Sequence, residues 1–465
     1  MNSFRDIVII GAGPAGLAAA VTAAGYGLDV LVLDEQPSVG GQIYRNIESA
    51  SGPTLSILGS DYRQGLELVK KFRSSQAEYL GNAIVWRIDA NGNVCFSRQG
   101  QSREINARHI LIATGAMERS VPFAGWTLPG VMGVGAVDAN FKSSSMVPEG
   151  PVVLAGSGPL LLSTAGHLVG SGVDVAAVLD TTAPRNVLSC LPAVPKALRR
   201  PDYLLKGLGM ILDLQRSGLR HVRSVTEYEA HGTNRLDHVS FKASGASDTL
   251  AAGVLLVHEG IIPRCDLTRQ IGLAHLWDPV QRCWYPHTST FGRTELKGIH
   301  VAGDGAFVHG GVAAQLKGSL AALDIAAALK ALPNHQRNAA AHRVKQRLYG
   351  ELAPRPFVDT LYQPRSKLYR LAPDTLVCRC ESVTAGDIHQ ALTEGCRDPN
   401  EIKAMTRCGM GQCQGRMCGS TLVEITADYM KLEPDGLKPL SIRPPVRNIA
   451  LAELAELRLL EASDP

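Results

Sequence analysis

The stretch VIIGAGPAGLAAAVTAAGYGLDVLVLD, Val8 to Asp34, decides how the rest of the chain is read. A β-rich run, Ile7 to Ile10, enters Gly11-Ala12-Gly13-Pro14-Ala15-Gly16. An Ala-rich helix follows, then a second apolar strand, Val30 to Leu33, that ends on Asp34. This order predicts a βαβ unit built to bind a dinucleotide. Gly11 permits the tight turn, Gly13 lets the backbone approach a pyrophosphate, and Gly16 lets the helix lie against the strand. The helix that starts at Pro14 and Ala15 turns its free N–H groups toward the anion. Asp34 closes the second strand, where a carboxylate accepts hydrogen bonds from a ribose, and Glu35 is the neighbouring candidate.

Composition narrows the setting. A chain of 465 residues holds two or three domains, and 45% hydrophobic residues is ordinary for a globular protein. A net charge of +4 and 5% aromatic residues give no support to nucleic-acid or membrane-surface binding. Met1–Ala24 has the look of a signal peptide, but its glycines and Asp6 fit the βαβ reading better. No transmembrane segment is expected, because no uninterrupted apolar run of about 18 residues occurs. Ten cysteines without a signal peptide point to a reducing, cytoplasmic setting and to metal or redox use. Cys95, Cys190, Cys265 and Cys283 are scattered, whereas six fall between Cys378 and Cys418.

Further along, Gly40-Gly41-Gln42 brings backbone close to something flat or charged, which beside a nucleotide unit is the flavin end of an extended dinucleotide. A helix is expected around Tyr62 to Ser74 and a hairpin turn at Asn91-Gly92. The strand from His109 ends in Thr114-Gly115. This segment resembles the ATG stretch of the two-dinucleotide-binding flavoproteins, which include thioredoxin and glutathione reductases. A second loop, Gly156-Ser157-Gly158-Pro159-Leu160-Leu161, precedes a strand over Val173 to Leu179 and Asp180. Leu161 occupies the third glycine position, and its bulk is expected to weaken nucleotide binding there. Pro195–Asp202 reads as a surface connection. His258 and Glu259 hold a loop, and no residue in the chain is assigned a catalytic role. The strand ending at Gly303-Asp304 resembles the family's GD motif, which touches the ribityl–pyrophosphate part of FAD. Gly310-Gly311 then opens a helix whose N-terminus favours negative charge. Gly11, Asp34, Thr114 and Asp304, in that order, make FAD the expected cofactor. Neither paired-cysteine redox motif of the disulfide reductases is present before Cys378.

After an Ala-, Arg- and Pro-rich stretch, read as a helix to about Gly350 and then a linker, a cysteine module begins. In a strand, Cys378 and Cys380 would point to the same face. Thr384 with Asp387 caps a helix that Gly395 ends. Gly409, Gly411 and Gly415 free N–H groups for sulfur, Lys403, Arg407 and Arg416 offset thiolate charge, and Cys418 sits at a helix start that favours its thiolate. Four thiolates could hold zinc or a [2Fe–2S] cluster, or be structural. The chosen ligand set is Cys378, Cys380, Cys413 and Cys418, with Cys408 as an alternative to Cys413 or Cys418 and Cys396 structural. The segment resembles the bacterioferritin-associated-ferredoxin-like [2Fe–2S] domain.

The whole chain, and Arg119–Met132 in particular, resembles the α (or A) subunits of heteromeric amine-oxidising flavoprotein dehydrogenases. Opine oxidases, D-hydroxyproline dehydrogenase, hydrogen cyanide synthase and dye-linked L-proline dehydrogenases are members. The resemblance implies an α/β fold with two Rossmann-like domains and a small C-terminal helical [2Fe–2S] domain. The expected parts are 1–135 (FAD domain), 136–285 (inserted second nucleotide domain), 286–350 (FAD domain, return), 351–372 (linker), 373–435 ([2Fe–2S] domain) and 436–465 (tail). It implies a partner β subunit like a D-amino-acid oxidase that oxidises a secondary or N-substituted amino acid, while this chain receives the electrons. It also allows an FMN at the subunit interface and a small third subunit. The competing expectations are a self-sufficient NAD(P)H-dependent reductase that uses the second loop, and a regulatory protein with structural zinc.

Overall fold

The computed structural model describes residues 4–365 and 368–462. Its first sheet forms around the Phe4–Ile10 strand, whose Ile7–Ile10 stretch is buried on both faces. That strand pairs in parallel with Val30–Leu33 on one side and Gln101–Ile112 on the other. The chain leaves this sheet after Ile112 and returns to it with Ile299–Val301, again parallel to Gln101–Ile112. An antiparallel pair, Ile84–Ile88 and Asn93–Arg98, completes the edge. The Asn91-Gly92 turn joins them, with Gly92 at φ +97°. Helices Pro14–Ala24 and Gly311–Ala328 cover one face together. They lie so close that a Cβ on Gly318 would stand 2.0 Å from the Ala15 carbonyl oxygen.

The excursion builds a second, five-stranded parallel sheet from Val131–Gly133, Val152–Gly156, Val175–Asp180, Arg220–Val222 and Val254–His258. A three-stranded antiparallel sheet packs on one face and helices Val134–Ser144 and Pro159–Gly170 on the other. Paired strands Ala116–Glu118 and Ile261–Pro263 carry the chain between the two parts.

The cysteine module is a small hairpin, Leu376–Cys378 with Val383–Thr384, and three helices, Ala385–Thr393, Pro399–Thr406 and Gly419–Met430. Val377, Ile388, Leu392, Ile402, Leu422 and Ile425 form its core. Both halves of the Thr384/Asp387 capping box are made.

Three stretches differ from expectation. The helix expected at Tyr62 to Ser74 begins earlier and spans Gly52–Arg73, with a break at Gly59. The stretch expected as a linker contains the helix Arg355–Leu361. Pro356 stands in its first turn, where a missing N–H costs nothing, so that proline starts a helix rather than breaking one. Pro201 does the same for Pro201–Arg216, which begins at the end of the expected surface connection Pro195–Asp202. The C-terminal stretch returns to the first sheet. The Val446 N–H donates to the Trp86 carbonyl (2.8 Å), Ser97 hydrogen-bonds Glu453, and Leu457 packs with Trp86 and Cys95. Among the described residues, no helix is long and apolar enough to cross a membrane.

Candidate functional site

The first glycine loop is built on close backbone approach. A Cβ on Gly11 (φ +109°) would meet the Ala113 carbonyl oxygen at 2.4 Å, and one on Gly16 the Gly11 oxygen at 1.8 Å. Gly41 (φ +61°) packs against Gly13, where a Cβ would stand 2.7 Å from its Cα. Asp34 is buried and ties the loop to the second strand. Its Oδ2 accepts from the Ala12 N–H (2.5 Å) and its Oδ1 from the Gln36 N–H (2.7 Å). Burial raises its pKa against those two hydrogen bonds. Glu35 pairs with Arg264 (3.0 Å) and Arg447 (3.8 Å).

The other expected residues converge on the same end of the sheet. Thr114 Oγ1 donates to the Arg264 carbonyl (3.2 Å), and the Gly115 carbonyl accepts the Arg264 N–H (3.0 Å). A Cβ on Gly303 would come within 2.7 Å of the Ala15 Cβ. Asp304 Oδ1 accepts the N–H groups of His309 (2.9 Å) and Gly310 (3.0 Å), which fixes the entry to the Gly311–Ala328 helix. Gln42 is exposed, and its carbonyl accepts from Lys142 Nζ (3.3 Å). Gly115 and Gly310 border open space, with no neighbouring atom within 4 Å of an added Cβ. Closely packed glycine backbone beside a helix start, with open space at Gly115 and Gly310, fits a dinucleotide.

Sequence reasoning missed Lys317. It is half-buried, donates to the Phe307 carbonyl (3.1 Å), and desolvation lowers its pKa to about 8 although Asp304 opposes the shift. The available signal was a lone lysine inside the Ala-rich run GVAAQLKGSLAALDIAAA. His309 beside it is driven to about 2 by burial, Lys317 and Arg355.

The second loop repeats the close backbone approach of the first and has the His258 ring beside it. A Cβ on Gly156 would collide with the His258 carbonyl at 1.8 Å, and the His258 ring stands 3.6 Å from where a Gly158 Cβ would be. His258 Nδ1 lies 2.6 Å from Glu118 Oε1. Leu161 is packed in the core with Val134, Leu154 and Leu168. Asp180 already accepts from the Thr182 N–H (2.8 Å) and lies 3.3 Å from His221 Nε2.

In the cysteine module the strand ends at Cys378, and Cys380 lies in the following turn, exposed. The two therefore do not share a strand face. The sulfurs of Cys378, Cys408 and Cys418 lie within 4.8 Å of one another, all buried. Cys380 and Cys413 lie outside that buried group, Cys380 exposed and Cys413 half-buried. N–H groups of Gly409 and Glu381 reach the Cys378 sulfur, and those of Met417 and Gly415 reach Cys413. Cys418 is the N-cap of Gly419–Met430, at the helix start expected for it, and among the neighbouring thiols its pKa is raised. A favourable hydrogen bond with Cys378 is outweighed by Cys408 and by burial. Crowded thiols that resist ionisation alone are what a bound cation makes compatible, so the donor set fits a thiolate-held metal centre. Arg407 pairs with Glu381 (2.8 Å) and Arg416 Nε donates to the Cys413 carbonyl (3.0 Å). Cys396 sits apart, beside the Met405 sulfur (3.6 Å).

Buried ties join the module to the flavin part. Arg119, 5% exposed, donates to the carbonyls of Glu259 (3.0 Å), Arg282 (2.9 Å) and Gln281, and to Tyr369 Oη (3.4 Å). Trp126 Nε1 donates to the Leu376 carbonyl (2.7 Å), and Arg282 pairs with Glu424 (3.0 Å).

A glycine-cradled dinucleotide groove joined to a thiolate centre defines a flavin- and iron–sulfur-carrying oxidoreductase. Residues 5–328 match the pyridine nucleotide-disulphide oxidoreductase family, and residues 376–428 match the BFD-like [2Fe-2S] binding domain. The chain belongs to that oxidoreductase family, in the branch that includes the opine oxidase proteins, and its cofactors are FAD and a [2Fe–2S] cluster. It is 39% identical to the A subunit of opine oxidase from Rhizobium meliloti (strain 1021), over 98% of this chain and 99% of that one. It is 35% identical to hydrogen cyanide synthase subunit HcnB of Pseudomonas aeruginosa, over 88% of this chain and 90% of that one. In fold it is similar to L-proline dehydrogenase from P. horikoshii, with a TM-score of 0.73 and 19% identity over 97% of this chain and 80% of that one.

Proposed function

We propose that this chain is the electron-receiving subunit of a heteromeric dehydrogenase acting on a secondary or N-substituted amino acid of the opine or D-hydroxyproline type. Oxidation of the amine takes place in a D-amino-acid-oxidase-like β subunit. The assembly includes an FMN at the interface and a small third subunit, and works in the cytoplasm. The carrying observation is the full-length similarity to the opine oxidase relative, on a chain that joins a dinucleotide groove to a thiolate centre. FAD supplies the change between two-electron and one-electron transfer, and the cluster accepts single electrons. The chain's own residues position these groups. Gly11, Gly13, Pro14, Ala15, Gly16, Asp34, Gly41, Thr114, Gly115, Gly303 and Asp304 line the flavin groove, Glu35 and Gln42 stand at its margin, and Cys378, Cys380, Cys413 and Cys418 hold the cluster. A partner surface is supported by Leu205, Leu208 and Leu212, which recur at helical spacing on Pro201–Arg216 and are exposed.

The test is the absorption spectrum of the anaerobic chain. Flavin and iron–sulfur bands should stay unbleached with NADH or NADPH, and bleach when the co-expressed partner and its amine are added. Prompt bleaching by NAD(P)H alone would make the chain a self-sufficient reductase. Leu161, packed in the core at the third glycine position, and the His258 ring, 3.6 Å from where a Gly158 Cβ would be, weigh against that outcome.

A further inference from the structure

Besides Cys396, the cysteine module offers five thiols where a [2Fe–2S] centre takes four. Cys378, Cys408 and Cys418 share one buried group, and Cys380 and Cys413 lie outside it. A tetrahedral metal with thiolate bonds of ~2.3 Å holds two sulfurs about 3.8 Å apart. Sulfurs within 4.8 Å of one another are therefore all within reach of one metal ion after a sub-ångström adjustment.

Cys408 is held in that position by its local chain. Arg407 ends the Pro399–Thr406 helix in the left-handed region (φ +66°), with its N–H on the Lys403 carbonyl (2.9 Å). The Cys408 N–H donates to Thr406 Oγ1 (3.2 Å), and Gly409 (φ +89°) turns the chain back. A Cβ on Gly409 would stand 3.8 Å from the Cys418 sulfur and 2.7 Å from Leu440 Cδ1, so Leu440 roofs the turn beside the sulfur group. Cys408 and Cys418 are both fully buried. A thiol kept dry and aimed at a ligand's sulfur is placed to bind the metal, not to react with solvent.

We propose that Cys408 is a reserve cluster ligand that takes over the iron held by Cys418 when that sulfur is lost or withdrawn. The inference rests on the proposed ligand set of Cys378, Cys380, Cys413 and Cys418. In the exchange, the Cys408 thiol gives up its proton as its sulfur–iron bond forms. The departing Cys418 thiolate takes up a proton, and no electron is transferred.

The readouts are iron and sulfide per chain and the EPR spectrum of the dithionite-reduced full-length protein, with flavin content as the control for folding. Cys418→Ala is expected to retain most of its iron and sulfide with shifted g values. Cys408→Ser/Cys418→Ala is expected to lose the cluster, a drop on the order of tenfold or more in iron. Cys418→Ser is the fold-conserving companion. Its spectrum should match that of Cys418→Ala if Cys408 has taken the site, and differ from it if the serine oxygen has. Iron lost from Cys418→Ala as fully as from the double variant, with flavin retained, would overturn the proposal. Cys408→Ser alone should keep wild-type iron; its loss would make Cys408 a primary ligand and defeat the four-ligand set. Iron retained in Cys380→Ala would also defeat that set.

Discussion

At the scale of single residues, the chain depends on side chains whose roles are tertiary. Arg119 is a buried cation serving carbonyls from two segments and the Tyr369 hydroxyl. Arg119→Met keeps most of its volume but leaves those acceptors unpaired in the interior. The expected cost is about 3 kcal/mol of unfolding free energy, read by denaturant titration. His109 offers a pH test. Burial and the nearby His300 lower its pKa to about 4 from an ordinary 6.5. The unfolded chain then protonates this histidine before the folded one does, so stability falls as pH drops from about 6.5 to about 4. His109→Asn should flatten the slope of midpoint against pH in that window; an unchanged slope would acquit His109. Glycines of the first loop were legible because their spacing is local and each is dictated by a backbone approach. Lys317 and the pairing of Arg264 with Glu35 were not, because their environments are assembled from segments far apart in sequence.

At the scale of elements, legibility followed chemistry that acts within a few residues. The capping pair Thr384/Asp387 is readable from its spacing, and both of its hydrogen bonds are made. Thr384→Ala should cost ~1 kcal/mol and loosen the start of Ala385–Thr393, which thermal unfolding of the full chain would register. Prolines mislead. A cluster of them suggests a linker, yet proline in a first turn begins a helix, as in Arg355–Leu361 and Pro201–Arg216. The spacing of Cys378 and Cys380 predicts two same-face strand positions. The strand ends at Cys378, because Ser382 takes a left-handed turn (φ +54°) that sends the chain back at once.

At the scale of the whole molecule, the FAD part closes only when Ile299–Val301 joins the sheet that Phe4–Ile10 began. The cysteine module is fastened to this body on both sides. Before and within it stand the Arg119–Tyr369, Trp126–Leu376 and Arg282–Glu424 ties, and after it the Val446–Trp86 hydrogen bond and the docked helix Leu451–Ala462. A carrier module on a loose tether must diffuse to its donor, and thicker solvent slows it. A module clamped at entry and exit has no such journey, and its electrons cross a set distance by tunnelling. Flavin-to-cluster transfer after flash photoreduction should therefore keep its rate as glycerol is added, whereas a rate falling in proportion to viscosity would mean that the clamp opens during turnover.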